Sequence, residues 1–235
     1  MNRNDSEEDV VIPSQSVFLE GGLTVPRDAQ AVVLFAHGSG SSRFSPRNRL
    51  VAKKLNDAGF ATLLCDLLSQ KEHTRDAVTA EYRFNIPLLA KRLTGVIDWL
   101  QKQERTRLLP VCLFGASTGT AAALIAAAER PQAVRAVVSR GGRPDLAGDI
   151  LVHVQAPTLL MVGGWDKLVY TLNEQAAEKL RATHQIVVVP EASHLFEEPG
   201  KLEEVARYAI DWFTTYAGEQ RHLFNDVDTR PRLSP

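Results

Sequence analysis

The sequence predicts an α/β architecture, a mainly parallel sheet with helices on both faces. Two observations carry this. Strand-like runs such as residues 31–36 (AVVLFA) are apolar throughout, without the alternation of a half-exposed strand, so they should be buried on both faces. They also alternate with segments whose apolar residues recur at helical spacing, the pattern of parallel strands joined by crossover helices.

Taken in order, residues 17–19 and 23–25, joined at Gly21-Gly22, are expected as an antiparallel hairpin at the sheet edge. The run 31–36 ends in a Gly/Ser cluster. A helix over 48–58 places Leu50, Val51, Lys54 and Leu55 at helical spacing, and Gly59 supplies its stop. Strand 61–65 leads into a long charged connection, 67–83, which with Phe84 could cover part of the catalytic edge. A helix over 86–103 then aligns Leu89, Leu93, Val96, Ile97 and Leu100 on one face. Strand 110–114, helix 118–130 and strand 134–139 follow. After a short turn region come strand 158–162, helix 172–181, strand 185–189 and a last helix near 202–214. Residues 1–15 and the tail 217–235 are polar and aperiodic, and are expected as extensions around one domain over 16–216, with Leu223 and Phe224 able to dock onto the body.

Composition narrows the function. The 235 residues hold 27 basic and 28 acidic side chains, a net charge of −1 that lacks the footprint of a nucleic-acid binder. The longest apolar run, 121–128, is far short of the ~20 residues that span a bilayer. The first residues (MNRNDSEEDV) are acidic and polar, unlike a secretory leader. Cys65 and Cys112 each lie in an apolar run and read as buried thiols, with no disulfide, metal site or cofactor implied. A soluble, cytoplasmic protein with a small-molecule substrate is expected, its oligomeric state left open.

The chemistry is signalled by Gly115-Ala116-Ser117-Thr118-Gly119, a G-x-S-x-G sequence between a strand and an alanine-rich helix. That context is a nucleophile elbow: small flanking residues allow a cramped turn that lifts the serine hydroxyl above the sheet. A serine needs a base, and His194, in the loop after strand 185–189, opens on the same sheet edge. His73, His153, His184 and His222 read as solvated, and His37 as shaping its own loop. Asp166, directly after strand 158–162, can hold the imidazole in one tautomer, although a helix-capping role is its simpler reading. The order Ser117, Asp166, His194, each after a strand, selects among the serine-hydrolase arrangements.

Acyl transfer also needs two oxyanion donors. The Thr118 amide at the helix start is one, and the loop His37-Gly38-Ser39-Gly40 offers Ser39 as the second, with Gly40 next. A rival reads Gly38-x-Gly40 as a dinucleotide fingerprint with Asp66 on the ribose. Arg43 at the third glycine position and the intervening Pro46 argue against it.

On His37-Gly38, the elbow 115–119, Gly163-Gly164-x-Asp166 and Ser193-His194, the chain resembles the α/β-hydrolase superfamily, and within it the dienelactone hydrolase-like branch, over residues 16–216. The resemblance implies an α/β-hydrolase fold with a mainly parallel eight-stranded sheet and cofactor-free hydrolysis of esters, lactones or thioesters. It makes Ser117 the nucleophile, Asp166 the acid and His194 the base. Dienelactone hydrolases proper carry cysteine at the position of Ser117, so carboxylesterase chemistry is the closer expectation. Residues 140–156 leave no room for the large cap domain that lidded relatives insert there. Arg43 and Arg140, with Gly40, are candidates for binding a substrate carboxylate or phosphate, and Arg143 lies near them. Their simpler reading is pairing with Asp66, Asp145 or Asp149. The expected function is a serine ester hydrolase. An acyltransferase, or a non-catalytic binding protein on the same fold, is the alternative.

Overall fold

In the computed structural model, which describes residues 6–14 and 16–218, the chain runs β1 (Glu8–Ser14), β2 (Val17–Thr24), β3 (Val32–Ala36), α1 (Pro46–Asp57), β4 (Ala61–Cys65), α2 (Gln70–Thr79) and α3 (Ile86–Leu100). It continues through β5 (Val111–Ala116), α4 (Gly119–Glu129), β6 (Val134–Arg140), a 3-10 stretch (Pro144–His153), β7 (Thr158–Gly163), α5 (Lys167–Ala177), β8 (His184–Val189) and α6 (Lys201–Ala217). The eight strands form one sheet in the order β1-β2-β4-β3-β5-β6-β7-β8. From β4 across to β8 every pairing is parallel, while β1 and β2 add an antiparallel edge. No cap domain interrupts it: the β6–β7 connection is only the 3-10 stretch.

The continuously apolar runs are the interior strands. β3, β4, β5 and β7 are buried at every position, whereas the outer strands β1 and β8 are largely exposed. Alternate side chains feed two cores. Val32, Leu34, Leu113 and Val137 pack with Leu93, Ile97 and Leu124 of α3 and α4. Val33, Phe35, Phe114 and Val138 pack with Val51, Leu55 and Phe213 of α1 and α6. The Phe35 and Phe114 rings lie 4.9 Å apart on this second face. Both cysteines are free and buried, and burial pushes the Cys112 thiol up to about 12.

Helix starts follow local chemistry. Ser45 Oγ accepts the Asn48 amide ahead of Pro46 in α1, and Ser69 with Glu72 closes a capping box on α2. Among the described residues, no helix is long and apolar enough to cross a membrane.

Three expectations are corrected. The segment 17–25 is not a hairpin: residues 17–24 form the single strand β2, since Gly21 and Gly22 stay extended opposite Cys65 and Leu64. Besides β4, it pairs antiparallel with β1, formed by residues 8–14, which were expected as part of a loose extension. β1 alternates only weakly and exposes one face, so its sequence carries little strand signal. The charged connection 67–83 contains helix α2, held by its capping box. The expected docking of Leu223 and Phe224 lies outside the described residues.

Strand order reverses around β3, with β4 on one side and β5 on the other. In such sheets a crevice opens at the carboxyl ends of the diverging strands. The loops after β3, β5, β6, β7 and β8 all emerge on that edge.

Candidate active site

Ser117 directly follows β5 with φ of +50°, a left-handed conformation that a non-glycine residue adopts at a cost of ~1–3 kcal/mol. Neighbouring bonds hold it there. The Ser117 amide donates to the Arg140 carbonyl at 3.3 Å, and the Ser117 carbonyl accepts the Arg143 amide at 3.0 Å. The elbow packs without side chains at its crossing: a methyl on Gly119 would lie 2.2 Å from the Ala36 carbonyl oxygen. Gly38 in turn lies against Ser117, where a methyl would stand 3.0 Å from Cβ and 3.7 Å from Oγ.

Asp166 follows β7 and makes the bonds that both expected roles require. Oδ1 accepts the Val169 amide at 3.4 Å and caps α5, while Oδ2 accepts from His194 Nδ1 at 2.7 Å. A carboxylate accepts only, so Nδ1 carries a proton, and in the neutral form of the ring Nε2 is the nitrogen with the lone pair. This cap also explains why α5 starts at Lys167, ahead of the expected 172. The loop bearing His194 is stapled to the loop bearing Asp166 by the Trp165 amide, which donates to the Ala192 carbonyl at 3.0 Å. Beyond His194, Glu198 accepts the Ser193 amide at 3.1 Å, and this bonding to Ser193 holds its carboxyl below the ordinary range. Gly141, one residue past the carbonyl that holds Ser117, abuts His194: a methyl there would be 3.5 Å from Nδ1. The segment from Arg140 to Arg143 thus touches both the elbow and the histidine loop.

His37 shapes its loop. Nδ1–H donates to the Gly38 carbonyl at 2.9 Å and Nε2 accepts the Leu67 amide at 3.2 Å. Burial lowers its pKa, outweighing the Gly38 carbonyl and Asp66. The imidazole is therefore neutral and fully bonded, which removes it as a rival base. The Ser39 amide does not stand open; it donates to Thr118 Oγ1 at 2.9 Å.

Arg43 and Arg143 follow the simpler reading, pairing with Asp66 and Asp145, and do not stand free for a substrate anion. Arg43 is engaged by Asp66 and Glu20, and its ring neighbour Phe44 lies 4.3 Å from the guanidinium carbon. Its fork is spent on the protein, as is that of Arg143 on Asp145. Arg140 is buried, donating to Asn48 Oδ1 at 3.2 Å and the Leu195 carbonyl at 3.5 Å. Burial and the nearby Arg47 bring its pKa down to about 10, against the pull of Glu197. It braces the histidine loop from beneath the sheet edge.

The residue that sequence reasoning missed is Arg83. A cavity of about 300 Å³ begins at the loop Gly38–Ser41 and is walled by Leu68, His73, Asp76 and Arg83. Asp76, buried, takes Arg83 Nε at 2.7 Å and the amides of Tyr82 and Arg83 at 2.6 and 3.0 Å. Burial raises the Asp76 carboxyl, but these donors together outweigh it and hold the pKa below its ordinary value. Arg83 Nη1 is aimed toward Gly40, 3.9 Å from where a methyl on that glycine would sit. Only the length and charge of 67–83 hinted at this wall. Trp165, Leu168 and Leu195, close in sequence to Asp166 and His194, are exposed apolar side chains absent from the lining of that cavity.

A family model for the Dienelactone hydrolase family matches residues 19–217. The chain belongs to that family. The crystal structure of a dienelactone hydrolase from Anabaena variabilis is similar at 55% identity and a TM-score of 0.90, covering 92% of this chain and all of that one. An esterase from Pyrococcus furiosus shares the fold at 17% identity and a TM-score of 0.68, covering 91% of this chain and 92% of the other. A Mycobacterium tuberculosis relative, provisionally named a phosphoribosyl transferase, is 56% identical over 207 residues, 88% of this chain. This family member spans only 46% of that relative's length.

Proposed function

We propose that this chain is a serine hydrolase that cleaves a carboxylic ester, lactone or thioester of a small to medium substrate through an acyl-enzyme. The observation that carries the reading is the 2.7 Å bond between His194 Nδ1 and Asp166 Oδ2, on the same sheet edge as a serine in a left-handed elbow. In this reading His194 Nε2 takes the Ser117 proton as Oγ attacks the carbonyl carbon. Asp166 stabilises the imidazolium that forms, and the Thr118 amide at the start of α4 faces the developing oxyanion. His194 then protonates the leaving group. A water activated by the same nitrogen releases the acid and restores Ser117.

The cavity beside Gly38–Ser41 receives one half of the substrate. Arg83, with its fork oriented by Asp76 and one edge free toward Gly40, favours a carboxylate or phosphate there, taking the place foreseen for Arg43 and Arg140. The exposed apolar residues Trp165, Leu168 and Leu195 suit the other half. The provisional name of the longer relative, a phosphoribosyl transferase, belongs to that whole protein, of which the matched region is 46%. Nothing in the elbow, acid and histidine arrangement serves such a transfer.

The test is a panel of neutral and carboxylated esters. The wild type should turn over members of it, and Ser117→Ala should lose at least about 10³-fold in kcat. Arg83→Ala should lower the preference for the carboxylated member about tenfold or more. Turnover that survives Ser117→Ala contradicts the proposal.

A further inference from the structure

The Thr118 hydroxyl is unused in the scheme above, yet its placement is unusual. A threonine at a helix start ordinarily turns its oxygen onto the first amides of that helix. Thr118 makes no such bond to α4. Its Oγ1 instead accepts the Ser39 amide at 2.9 Å, with the residue 6% exposed. That bond uses the single proton the Ser39 amide has to give, the proton the oxyanion was expected to receive.

A hydroxyl accepts and donates at once. With one lone pair occupied by Ser39 N–H, the Thr118 O–H retains its own proton, and accepting a bond strengthens what it donates. Oγ1 and the Thr118 amide nitrogen belong to the residue immediately after Ser117, and the partner of Oγ1, Ser39, follows Gly38, which itself lies against Ser117. We infer that the Thr118 hydroxyl, polarised by the Ser39 amide, is the second oxyanion donor. Ser39 acts through it as a positioning residue and does not touch the substrate. The negative oxygen of the tetrahedral intermediate then meets two donors from Thr118, the amide and the hydroxyl. The inference rests on the serine-hydrolase reading and adds a catalytic residue to it.

The experiment compares Thr118→Val, Thr118→Ala and Thr118→Ser with the wild type on one ester, reading kcat and KM separately and checking folding by circular dichroism. Valine keeps the shape and removes the donor. It should lower kcat about 10²-fold, the usual loss for one oxyanion donor, with KM changed less than about twofold. Serine, which keeps the hydroxyl, should stay within about threefold of wild type. Should the valine variant not fold, alanine carries the same expectation, with a kcat loss of at least about tenfold. If the Ser39 amide instead swings free and binds the oxyanion directly, alanine should match or exceed the wild type. A kcat within threefold of wild type for a folded valine or alanine variant overturns the inference. That outcome, with Ser117→Ala still inactive, leaves the hydrolase reading standing. Activity surviving in Ser117→Ala removes both.

Discussion

Adding one methyl group at Gly163 should disable the site without touching any reacting atom. Gly163 ends β7, and the loop carrying His194 crosses directly over it. A Cβ there would lie 2.5 Å from the carbonyl oxygens of both Ala192 and Ser193, about 0.9 Å inside ordinary contact. One side must yield. β7 is buried at every position between β6 and β8, whereas the loop, though anchored by buried Ala192 and Phe196, leaves Glu191 and Leu195 exposed and Ser193 and His194 partly so, and it gives way. His194 is the next residue along it, and a shift of that size breaks its alignment with Asp166 and Ser117. Misplacement by about 1 Å costs on the order of 10²-fold in rate. Gly164 is the control: a methyl there meets the Val189 carbonyl at 3.2 Å and Pro190 Cα at 3.4 Å, which small adjustments absorb. Initial rates on a chromogenic ester should show Gly163→Ala reduced about 10²-fold in kcat/KM and Gly164→Ala by less than about threefold. Thermal melts check that both variants fold. A folded Gly163→Ala enzyme with near wild-type kcat/KM would refute the reasoning.

Two further outcomes follow from the same geometry. Asp166→Asn keeps a good helix cap but loses the charge facing Nδ1, so kcat should drop by ~10³–10⁴ while stability stays within about 1 kcal/mol, checked by steady-state kinetics and urea unfolding. Asp76→Asn should destabilise the fold by about 1–2 kcal/mol at pH 7 by weakening the bonds to Arg83 and Tyr82. Because the Asp76 carboxyl is held below its ordinary value, its stabilisation is full above the unfolded value of ~3.9 and is lost as pH falls through the folded value. Urea midpoints of wild type and variant should therefore draw together as pH falls below ~3.9, and a gap independent of pH would contradict this.

How much of this was legible in the sequence depends on how far each feature relies on neighbours along the chain. The interior strands were visible because burial on both faces leaves only apolar residues. The elbow was visible because its glycines, serine and flanking elements are contiguous. Asp166 and His194 could be placed by chain order alone, each after a strand. β1 was missed because an exposed edge strand is held by ladder bonds to β2, which leave no hydrophobic pattern. Gly21-Gly22 suggested a turn because glycine serves turns and close strand approach alike. The arginines show the limit most clearly. Arg43, Arg140 and Arg83 all lie near the catalytic edge, and only three-dimensional pairing distinguishes a spent guanidinium from an available one. The fate of the Ser39 amide was equally hidden, since its partner lies 79 residues away.

The most direct test of the central claim is covalent capture of the nucleophile. The protein should be treated with a fluorophosphonate, digested, and the modified residue located by mass spectrometry. One adduct per chain is predicted, on Ser117, absent from Ser117→Ala and slowed by at least about 10²-fold in a His194→Ala variant that cannot accept the proton. An unlabelled but folded protein, or equal labelling of the Ser117→Ala chain, would contradict the account.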